Sequence, residues 1–280
     1  MKLFKKVFYF LFWTGTLCVI CMSIFVLCTD IRAYMHDGEV DKWENYIDLQ
    51  DDYDSETGSV MDFLSLSTSF DSLFDTYERL KKNKKIDYRE IMFQNIELMG
   101  NYSGDEKTID GGNELRNQEI NGGMFTPLKS MQVSEKDVVD MSLSDFTEGK
   151  YIFEQGDYFV DSGKKIPVVL GASYKKNFDI NDEFRGMYLS RSFRFVVKDF
   201  FREGAKLDIA GKKMKLDSYI IFPALNVTSK AGQNNLFYKV LYLQKIEGFI
   251  KCGSKDEYKT SVEEIKKISD ITGFKYEKRL

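Results

Sequence analysis

Few side chains of this 280-residue sequence have the types and spacing that catalysis requires. Its single histidine is His36, and Cys252 is the one cysteine beyond residue 28. A Ser-His-Asp or Cys-His site would have to use His36, and a zinc site normally needs several His or Cys ligands. The chain has neither a G-x-x-x-x-G-K-[ST] phosphate loop nor a G-x-G-x-x-G turn. We therefore predict no catalytic, cofactor-binding or metal-binding residue, and expect a protein that binds or transmits rather than an enzyme.

Two short patterns keep chemical alternatives open. The C-x-x-C motif at residues 18–21 has the spacing of redox and metal sites. However, it lies in an apolar run that lacks the positive surroundings of a reactive thiolate. Asp51, Asp52 and Asp54 could bind calcium, although the glycine and the final glutamate of an EF-hand loop are absent. The sequence therefore favours a membrane helix as the setting of the two cysteines, and a solvated acidic loop as the setting of the three aspartates.

An uncharged apolar run occupies residues 7–28. It is long enough to cross a bilayer, which takes about 20 helical residues. The segment before it contains three lysines and no acidic residue: Lys2, Lys5 and Lys6. Because basic flanks stay in the cytoplasm, we predict a cytoplasmic N-terminus at residues 1–6 and an extracytoplasmic domain over residues 29–280. The predicted location is thus the cell membrane, with a single transmembrane helix in contact with lipid.

A cleaved signal peptide is the competing interpretation of this run. Such a peptide has an apolar region of about 7–15 residues and ends in small residues. Here the run is longer, and Phe25 and Leu27 near its end are bulky. A lipoprotein signal also fits poorly, because Leu17 and Leu27 stand where a small residue should precede Cys18 or Cys28. The sequence therefore favours an uncleaved anchor.

The charge and the cysteine content limit the partners of the outer part. The net charge of the whole chain is −4, and removing the three N-terminal lysines leaves −7 for the remainder. A surface of this sign argues against nucleic acid, which binds basic faces. Cys252 has no second thiol with which to form a disulfide inside the outer domain. The domain must therefore depend on its apolar core for stability.

Three helices are predicted from apolar periodicity and capping patterns. The first covers residues 66–80, with Ser65 or Ser67 as its cap and a basic run at its C-terminal end. A membrane-lying amphipathic helix is the alternative for this stretch, but acidic residues on its polar face favour packing against a core. The second covers residues 134–143, and the third begins at a capping box of Ser261 and Glu264. The apolar stripe of the first helix consists of Leu66, Phe70, Leu73, Phe74, Tyr77 and Leu80. The capping box of the second helix is Ser134 and Asp137. The apolar face of the third helix consists of Val262, Ile265, Ile268 and Ile271, and Gly273 ends that helix.

Strands are predicted where β-branched and aromatic residues cluster or alternate. These segments are residues 91–99, 166–170, 193–197, 219–222 and 236–243. Residues 101–123 are rich in Gly, Asn and Asp and indicate a long exposed loop. Because strands and helices do not alternate as βαβ units, we predict an α+β fold, built as two lobes.

One stretch contains an ordered set of short motifs that is known from a protein family. Its members in order are residues 149–153 (GKYIF), Asp157 and Tyr158, residues 166–171 (IPVVLG), Tyr174, Asp182 and the F-x-F-x-V of residues 193–197. This order resembles the MacB-like periplasmic core domain of FtsX-like ABC transporter permeases. Residues 77–81 and 88–98 resemble the segment that follows the first membrane helix of such permeases, and residues 216–223 resemble a later strand. We assign Gly171 to a backbone conformation at the end of its strand that other residues resist.

Three positions depart from the family pattern. Lys150 stands where arginine is usual, and Asn181 and Asp199 stand where glycine is usual. Permeases of this type also have three further membrane helices after the ectodomain, and this sequence has none. A truncated gene, a fragment or a split permease would each explain that difference.

The resemblance implies a function and partners. The chain would be the N-terminal part of a permease whose ectodomain transmits ATP-driven motion to work on peptides, antimicrobial compounds or lipoproteins. Its partners would be a cytoplasmic ABC ATPase and a second permease copy, and no cofactor is implied. The alternative is a free-standing single-pass protein whose outer domain senses or binds a ligand.

Overall fold

A computed structural model describes residues 45–52, 59–151, 153–160, 164–227 and 235–276. The predicted anchor at residues 7–28, its C-x-x-C motif and His36 lie outside these ranges. No helix within the ranges is both long and apolar enough to cross a bilayer. The described part mixes helices with antiparallel and parallel strand pairs, so the predicted α+β class is confirmed.

The elements follow one another as short strands and five α-helices within the described ranges. The strands are β1 Tyr46–Asp48, β2 Asp87–Arg89, β3 Ile91–Phe93, β4 Ile96–Met99, β5 Gln118–Ile120, β6 Gly123–Leu128, β7 Ser130–Val133, β8 Ile166–Leu170, β9 Glu183–Tyr188, β10 Arg191–Phe200, β11 Lys206–Ile209, β12 Lys212–Lys215, β13 Ile220–Pro223 and β14 Phe249–Lys251. The helices are α1 Ser59–Ser65, α2 Ser69–Lys82, α3 Glu135–Asp140, α4 Leu236–Ile246 and α5 Lys255–Thr272.

A mixed nine-stranded sheet organises the described part. Its strand order is β3-β7-β13-β8-β10-β9-β4-β6-β5. The β7–β13 and β8–β10 pairs are parallel, and the other neighbours are antiparallel. A small antiparallel sheet has the order β1-β14-β2, and β11 and β12 form a separate hairpin. Since β2 and β3 are almost continuous in sequence, the chain passes from the small sheet to the large one at Glu90.

Two buried apolar clusters lie on opposite faces of the large sheet. Successive residues of β8 and β13 point to opposite sides, as the strand period of two requires. Val168 and Phe222 belong to the larger cluster, which includes helices α2, α4 and α5. Val169 and Ile221 belong to the smaller cluster, which includes β11, β12 and part of α3. Both faces of this half of the sheet are therefore covered by the same chain.

Helix α4 replaces a predicted strand. Residues 236–243 were expected to be extended because they are rich in β-branched and aromatic types, and this prediction is wrong. Every residue from Tyr238 to Ile246 is buried, so polar residues do not mark a solvent face that would reveal the helical period. Two hydrogen bonds, one local and one to a distant segment, hold the helix instead. The side chain of Asn235 accepts a hydrogen bond from the Tyr238 amide at 3.3 Å, and the Lys239 ammonium donates to the Leu64 carbonyl at the end of α1 at 2.7 Å.

The other predicted helices are present with shifted ends. Helix α2 begins at Ser69 after Thr68, which makes no side-chain capping bond, so neither Ser65 nor Ser67 caps it. Leu66 is 52% exposed and does not belong to the buried stripe. In α3, Ser134 accepts a hydrogen bond from the Asp137 amide, as predicted.

The last helix, α5, begins earlier than predicted. Ser254 caps it by accepting a hydrogen bond from the Glu257 amide at 3.2 Å, and Ser261 is buried inside the helix. Ser254 and Glu257 have the same spacing as Ser261 and Glu264. The capping-box pattern alone is therefore compatible with a helix start at either serine. Gly273 ends the helix in a left-handed conformation, as predicted. Ile271 is 61% exposed and lies outside the buried face.

The predicted strands at residues 166–170, 193–197 and 219–222 are confirmed as β8, part of β10 and β13. The predicted strand at 91–99 is two strands, because the chain breaks at residues 94–95 and places β3 and β4 in distant parts of the sheet. The predicted exposed loop at 101–123 is wrong in part. It contains β5 and two 3-10 turns, and Tyr102 and Ile109 are buried there.

Gly171 is required for a reason other than the predicted one. Its φ of −64° is available to any residue, so its backbone conformation does not demand glycine. Instead, a Cβ at this position would lie 2.2 Å from the carbonyl oxygen of Asp217 and 2.3 Å from that of Leu216. These are backbone atoms of the segment that leads into β13, so they cannot move aside as a flexible side chain can. The close approach of two chain segments therefore selects glycine.

We expect Gly171→Ala to destabilise the folded chain by about 1–3 kcal/mol, because the added methyl overpacks a fixed backbone contact. Urea unfolding of the full chain in mild detergent, followed by near-ultraviolet circular dichroism, measures this change. Gly156→Ala is the matched control, since its Cβ would meet only the Lys164 ammonium at 3.4 Å. We expect it to cost no more than about 0.5 kcal/mol. Equal costs for both variants would contradict the close-approach explanation.

Candidate functional site

An open groove of about 1280 Å³ lies where the α2–β2 turn, α3 and the first half of α5 meet. Its lining contains six lysines from three separate parts of the chain: Lys81, Lys82, Lys84, Lys85, Lys136 and Lys251. It also contains five carboxylates: Asp87, Glu90, Glu135, Asp140 and Glu257. The groove is therefore densely charged, with the two signs close to balance.

One rim of the groove is set by the end of α2. The helix ends at Lys82, and Asn83 then turns the chain towards β2, so the predicted basic run continues past the helix. Glu264 of α5 accepts hydrogen bonds from the Asn83 amide at 3.1 Å and from the Lys85 ammonium at 2.9 Å. Lys267 contacts the same carboxylate at 2.9 Å. Bonds from Lys267, Lys85 and Asn83 lower the pKa of Glu264 from 4.5 to about 2.

The wall formed by α3 depends on Asp137, whose side chain is wholly buried. Its carboxylate accepts a hydrogen bond from the Ser134 hydroxyl at 2.5 Å and another from the Glu90 amide at 3.1 Å. Burial raises the pKa of Asp137, although the bond from Ser134 and the charge of Arg89 oppose that rise. This residue therefore fixes α3 against the crossing from β2 to β3.

The buried Arg89 pairs with carboxylates on the acidic side of the groove. Its guanidinium contacts Asp87 at 2.8 Å, Asp140 at 2.7 Å and Asp137 at 3.4 Å. Burial alone would raise the pKa of Asp87, but hydrogen bonds from Lys136 and Arg89 outweigh it and lower the pKa. All three carboxylates are thus paired with Arg89 inside the domain.

The floor of the groove holds a buried ion pair between Lys245 of α4 and Glu90. The Lys245 side chain is wholly buried, and that of Glu90 is 4% exposed. Tyr77 of α2 donates a hydrogen bond to the second carboxylate oxygen of Glu90 at 2.8 Å, and the Lys245 ammonium lies 4.7 Å from the centre of its ring. Burial lowers the pKa of Lys245, while the charge of Glu90 opposes that change. Because the amine is inaccessible, it can stabilise the fold but cannot attack a substrate.

The residues considered for chemistry at the outset are not brought together. Within the described ranges, no three His, Cys, Asp or Glu side chains converge as a metal site would require. Asp51 pairs with Tyr276 in a β-bridge, and Asp54 lies outside the described residues. Cys252 is buried, and burial raises the pKa of its thiol. The groove offers charged hydrogen-bonding groups at its rim, which suits binding of a polar or charged chain segment.

The motif residues of the family resemblance have structural roles away from the groove. Asp199, one of the departures from the pattern, is buried in β10. Its carboxylate accepts hydrogen bonds from the Gly149 amide at 2.9 Å and the Tyr151 amide at 3.0 Å. Lys150 between them has a left-handed φ of 58°. This aspartate therefore ties the 149–151 turn to the sheet.

The groove was not predicted from the sequence. The run of four lysines around Asn83 was a visible signal, but it was explained by the helix dipole alone. Lys136 and Lys251 reach the same groove from distant positions in the chain, and no local pattern predicts that convergence.

Comparison with known proteins adds no assignment. A scan against protein-family models finds no family that matches this chain, and a search of curated proteins finds no match. The resemblance to FtsX-like permeases therefore stays a prediction made from the motifs.

We expect Glu264→Gln to destabilise the folded chain at neutral pH and to lose this effect in acid. Because the folded-state pKa is lowered to about 2 from 4.5, the ionised carboxylate stabilises the fold above pH 4.5. That contribution is lost as the pH falls through the folded-state pKa. Urea unfolding of the variant and the natural chain between neutral pH and about pH 2 measures the difference. Glu263→Gln, at the exposed neighbouring position, is the control. A destabilisation that is independent of pH, or equal in both variants, would contradict this role.

Proposed function

We propose that residues 29–280 form the extracytoplasmic domain of an ABC transporter permease of the FtsX/MacB type, anchored by a membrane helix at residues 7–28. The observation that carries this proposal is that the first and last segments of the described domain lie side by side. Asp51 and Tyr276 pair in an antiparallel bridge, and the Asp52 amide donates to the Lys275 carbonyl at 2.9 Å. Ends that lie close together suit a domain placed between two membrane segments.

Both ends are bonded to the same internal segment, which supports a role in transmitting motion. The Cys252 amide donates to the Asn45 carbonyl at 2.7 Å, and the Leu49 amide donates to the Gly248 carbonyl at 3.0 Å. At the other end, the Tyr276 hydroxyl donates to the Ile246 carbonyl at 3.0 Å. A displacement of either end would therefore act on the α4–β14 segment, and through α4 on the large sheet.

In this proposal, a separate cytoplasmic ATPase moves the membrane helices, and the outer domain converts the motion into work outside the cell. The work would be export of, or action upon, peptides, antimicrobial compounds or lipoproteins. A second permease copy is an expected partner. The two apolar clusters lie on opposite faces of one sheet, so the division into two lobes stays a prediction.

The groove favours a second candidate, a single-pass membrane protein whose outer domain binds a ligand. Charged groups from three elements converge there around an open space of about 1280 Å³. This function needs neither an ATPase nor further membrane helices. The two candidates share the predicted topology and differ in their partner.

We expect an introduced cysteine at Lys84, which is exposed, to react with a membrane-impermeant maleimide in spheroplasts. A cysteine at Lys2 should react only after lysis, because basic flanks stay in the cytoplasm. Both substitutions are made in a chain whose Cys18, Cys21 and Cys28 are replaced by alanine, with that chain as the baseline. Labelling of the Lys2 variant alone before lysis would overturn both candidates.

A second measurement separates the two candidates. The full chain is purified in mild detergent from its own cells, and an associated ATPase is identified by a nucleotide phosphate-loop sequence and by ATP hydrolysis. Correct topology with an associated ATPase supports the permease. Correct topology without one supports the single-pass binding protein.

A further inference from the structure

One half of the large sheet has an outer face that the described chain leaves uncovered. On β8 and β13 the smaller apolar cluster covers this side of the sheet. Across β9, β4 and β6, the residues on the same side are exposed or half-buried, whereas alternate residues such as Phe184, Leu98 and Leu128 are buried in the larger cluster. All three residues of the edge strand β5 are exposed. We call the uncovered side of these four strands and of β10 the open face.

An apolar strip crosses the open face. Strand pairing places Met99 opposite Phe125, and Pro127 and Met187 on either side of Glu97. Met99 is 37% exposed and Ile120 on β5 is 47% exposed, and both are among the largest exposed apolar side chains of the described ranges. Exposed apolar side chains gathered on one face of a sheet indicate an interaction surface. Methionine suits such surfaces because its side chain adapts to its partner.

Two opposite charges, Glu97 and Arg185, lie on this face among the apolar side chains. Glu97 is half-buried between Pro127 and Met187, and none of the ion pairs in the described ranges includes it. Burial raises its pKa. On the neighbouring strands, Arg185 lies directly opposite Arg194. A carboxylate among apolar side chains is unfavourable without a partner.

We propose that the open face is an interface with a second copy of this chain, related to the first by a two-fold axis. On this face Glu97 and Arg185 are diagonal neighbours, and Met99 and Met187 occupy the other diagonal. A two-fold axis along the line from Met99 to Met187 brings Glu97 of each copy over Arg185 of the other. The same contact covers the apolar strip and compensates both charges.

The charge pattern selects this partner over the others. A lipid surface would favour a uniformly basic face, and the open face has a carboxylate at its centre. An unrelated protein would need a complementary arrangement of its own, whereas the two signs here complement each other under two-fold symmetry. This inference rests on the proposed function, because it identifies the surface by which the expected second permease copy makes contact outside the membrane.

Cross-linking in membranes tests the interface. Met99→Cys is introduced into the full chain with Cys18, Cys21 and Cys28 replaced by alanine; Cys252 is buried and stays. Stacked sheets lie about 10 Å apart, so a short bismaleimide is used in place of a disulfide. We expect Met99→Cys to form covalent dimers in several-fold higher yield than Leu66→Cys, which is 52% exposed but lies in the helix layer. Equal yields would overturn the interface.

Charge reversal identifies the contact residues. Glu97→Arg alone and Arg185→Glu alone should each reduce Met99→Cys cross-linking several-fold, because like charges then face each other. Coexpression of the two variants, distinguished by different tags, should restore cross-linking between unlike copies. This restoration also shows that each variant is folded. Undiminished cross-linking of either variant alone, or no restoration in the mixture, would overturn the assigned contact.

Failure of the proposed interface can be distinguished from failure of the proposed function. Correct topology and an associated ATPase without cross-linking at Met99 remove this interface and leave the permease in place. A chain whose Lys2 variant alone is labelled before lysis overturns the proposed function, whatever the cross-linking shows.

Discussion

The described part of the chain depends on one buried ion pair, between Lys245 and Glu90. Taking both charges out of water carries a desolvation penalty of several kcal/mol per ion, so each requires the other and the hydrogen bond from Tyr77. Glu90 lies where the chain crosses from the small sheet to the large one, and Lys245 lies near the end of α4. The pair therefore joins both sheets to the central helix, and Tyr77 adds α2 to the same junction.

This junction connects the ends of the domain with its surfaces. The segment from Ile246 to Cys252 follows Lys245 directly and is bonded to both ends of the folded domain. On the other side of the pair, Glu90 forms part of the charged groove. A force applied where the chain enters and leaves would thus reach the sheet and the groove through α4. For a domain that transmits motion, a rigid junction of this kind is more useful than a flexible one.

Much of the fold could be predicted from local patterns, and the failures have physical causes. The buried strand at residues 166–170 is recognisable because its apolar run is short and ends at glycine. Helix α4 was predicted as a strand because burial on all sides removes the polar positions that mark a helical period. Gly171 was identified correctly but for the wrong reason, since the contact that selects glycine involves residues 216–217, far away in sequence.

The candidate sites were harder to predict than the fold. The groove combines lysines from the α2–β2 turn, α3 and β14, and only the fold brings these together. The open face depends on strand register, since Glu97 and Arg185 become neighbours only when β4 pairs with β9. Sequence patterns describe each element separately, and both surfaces arise from contacts between elements. The predicted anchor at residues 7–28, which lies outside the described residues, differs from both surfaces because it is inferred from a single local run.

The central claim is that the Lys245–Glu90 pair holds these elements together, and a double-mutant cycle tests it most directly. Urea unfolding of the full chain is compared for Lys245→Met, Glu90→Gln and the double variant. Each single change should cost about 3–5 kcal/mol, because it leaves a buried charge without its partner. The double variant should cost less than the sum by at least about 1.5 kcal/mol, which is the coupling energy of residues in direct contact. Small and additive costs would contradict the claim.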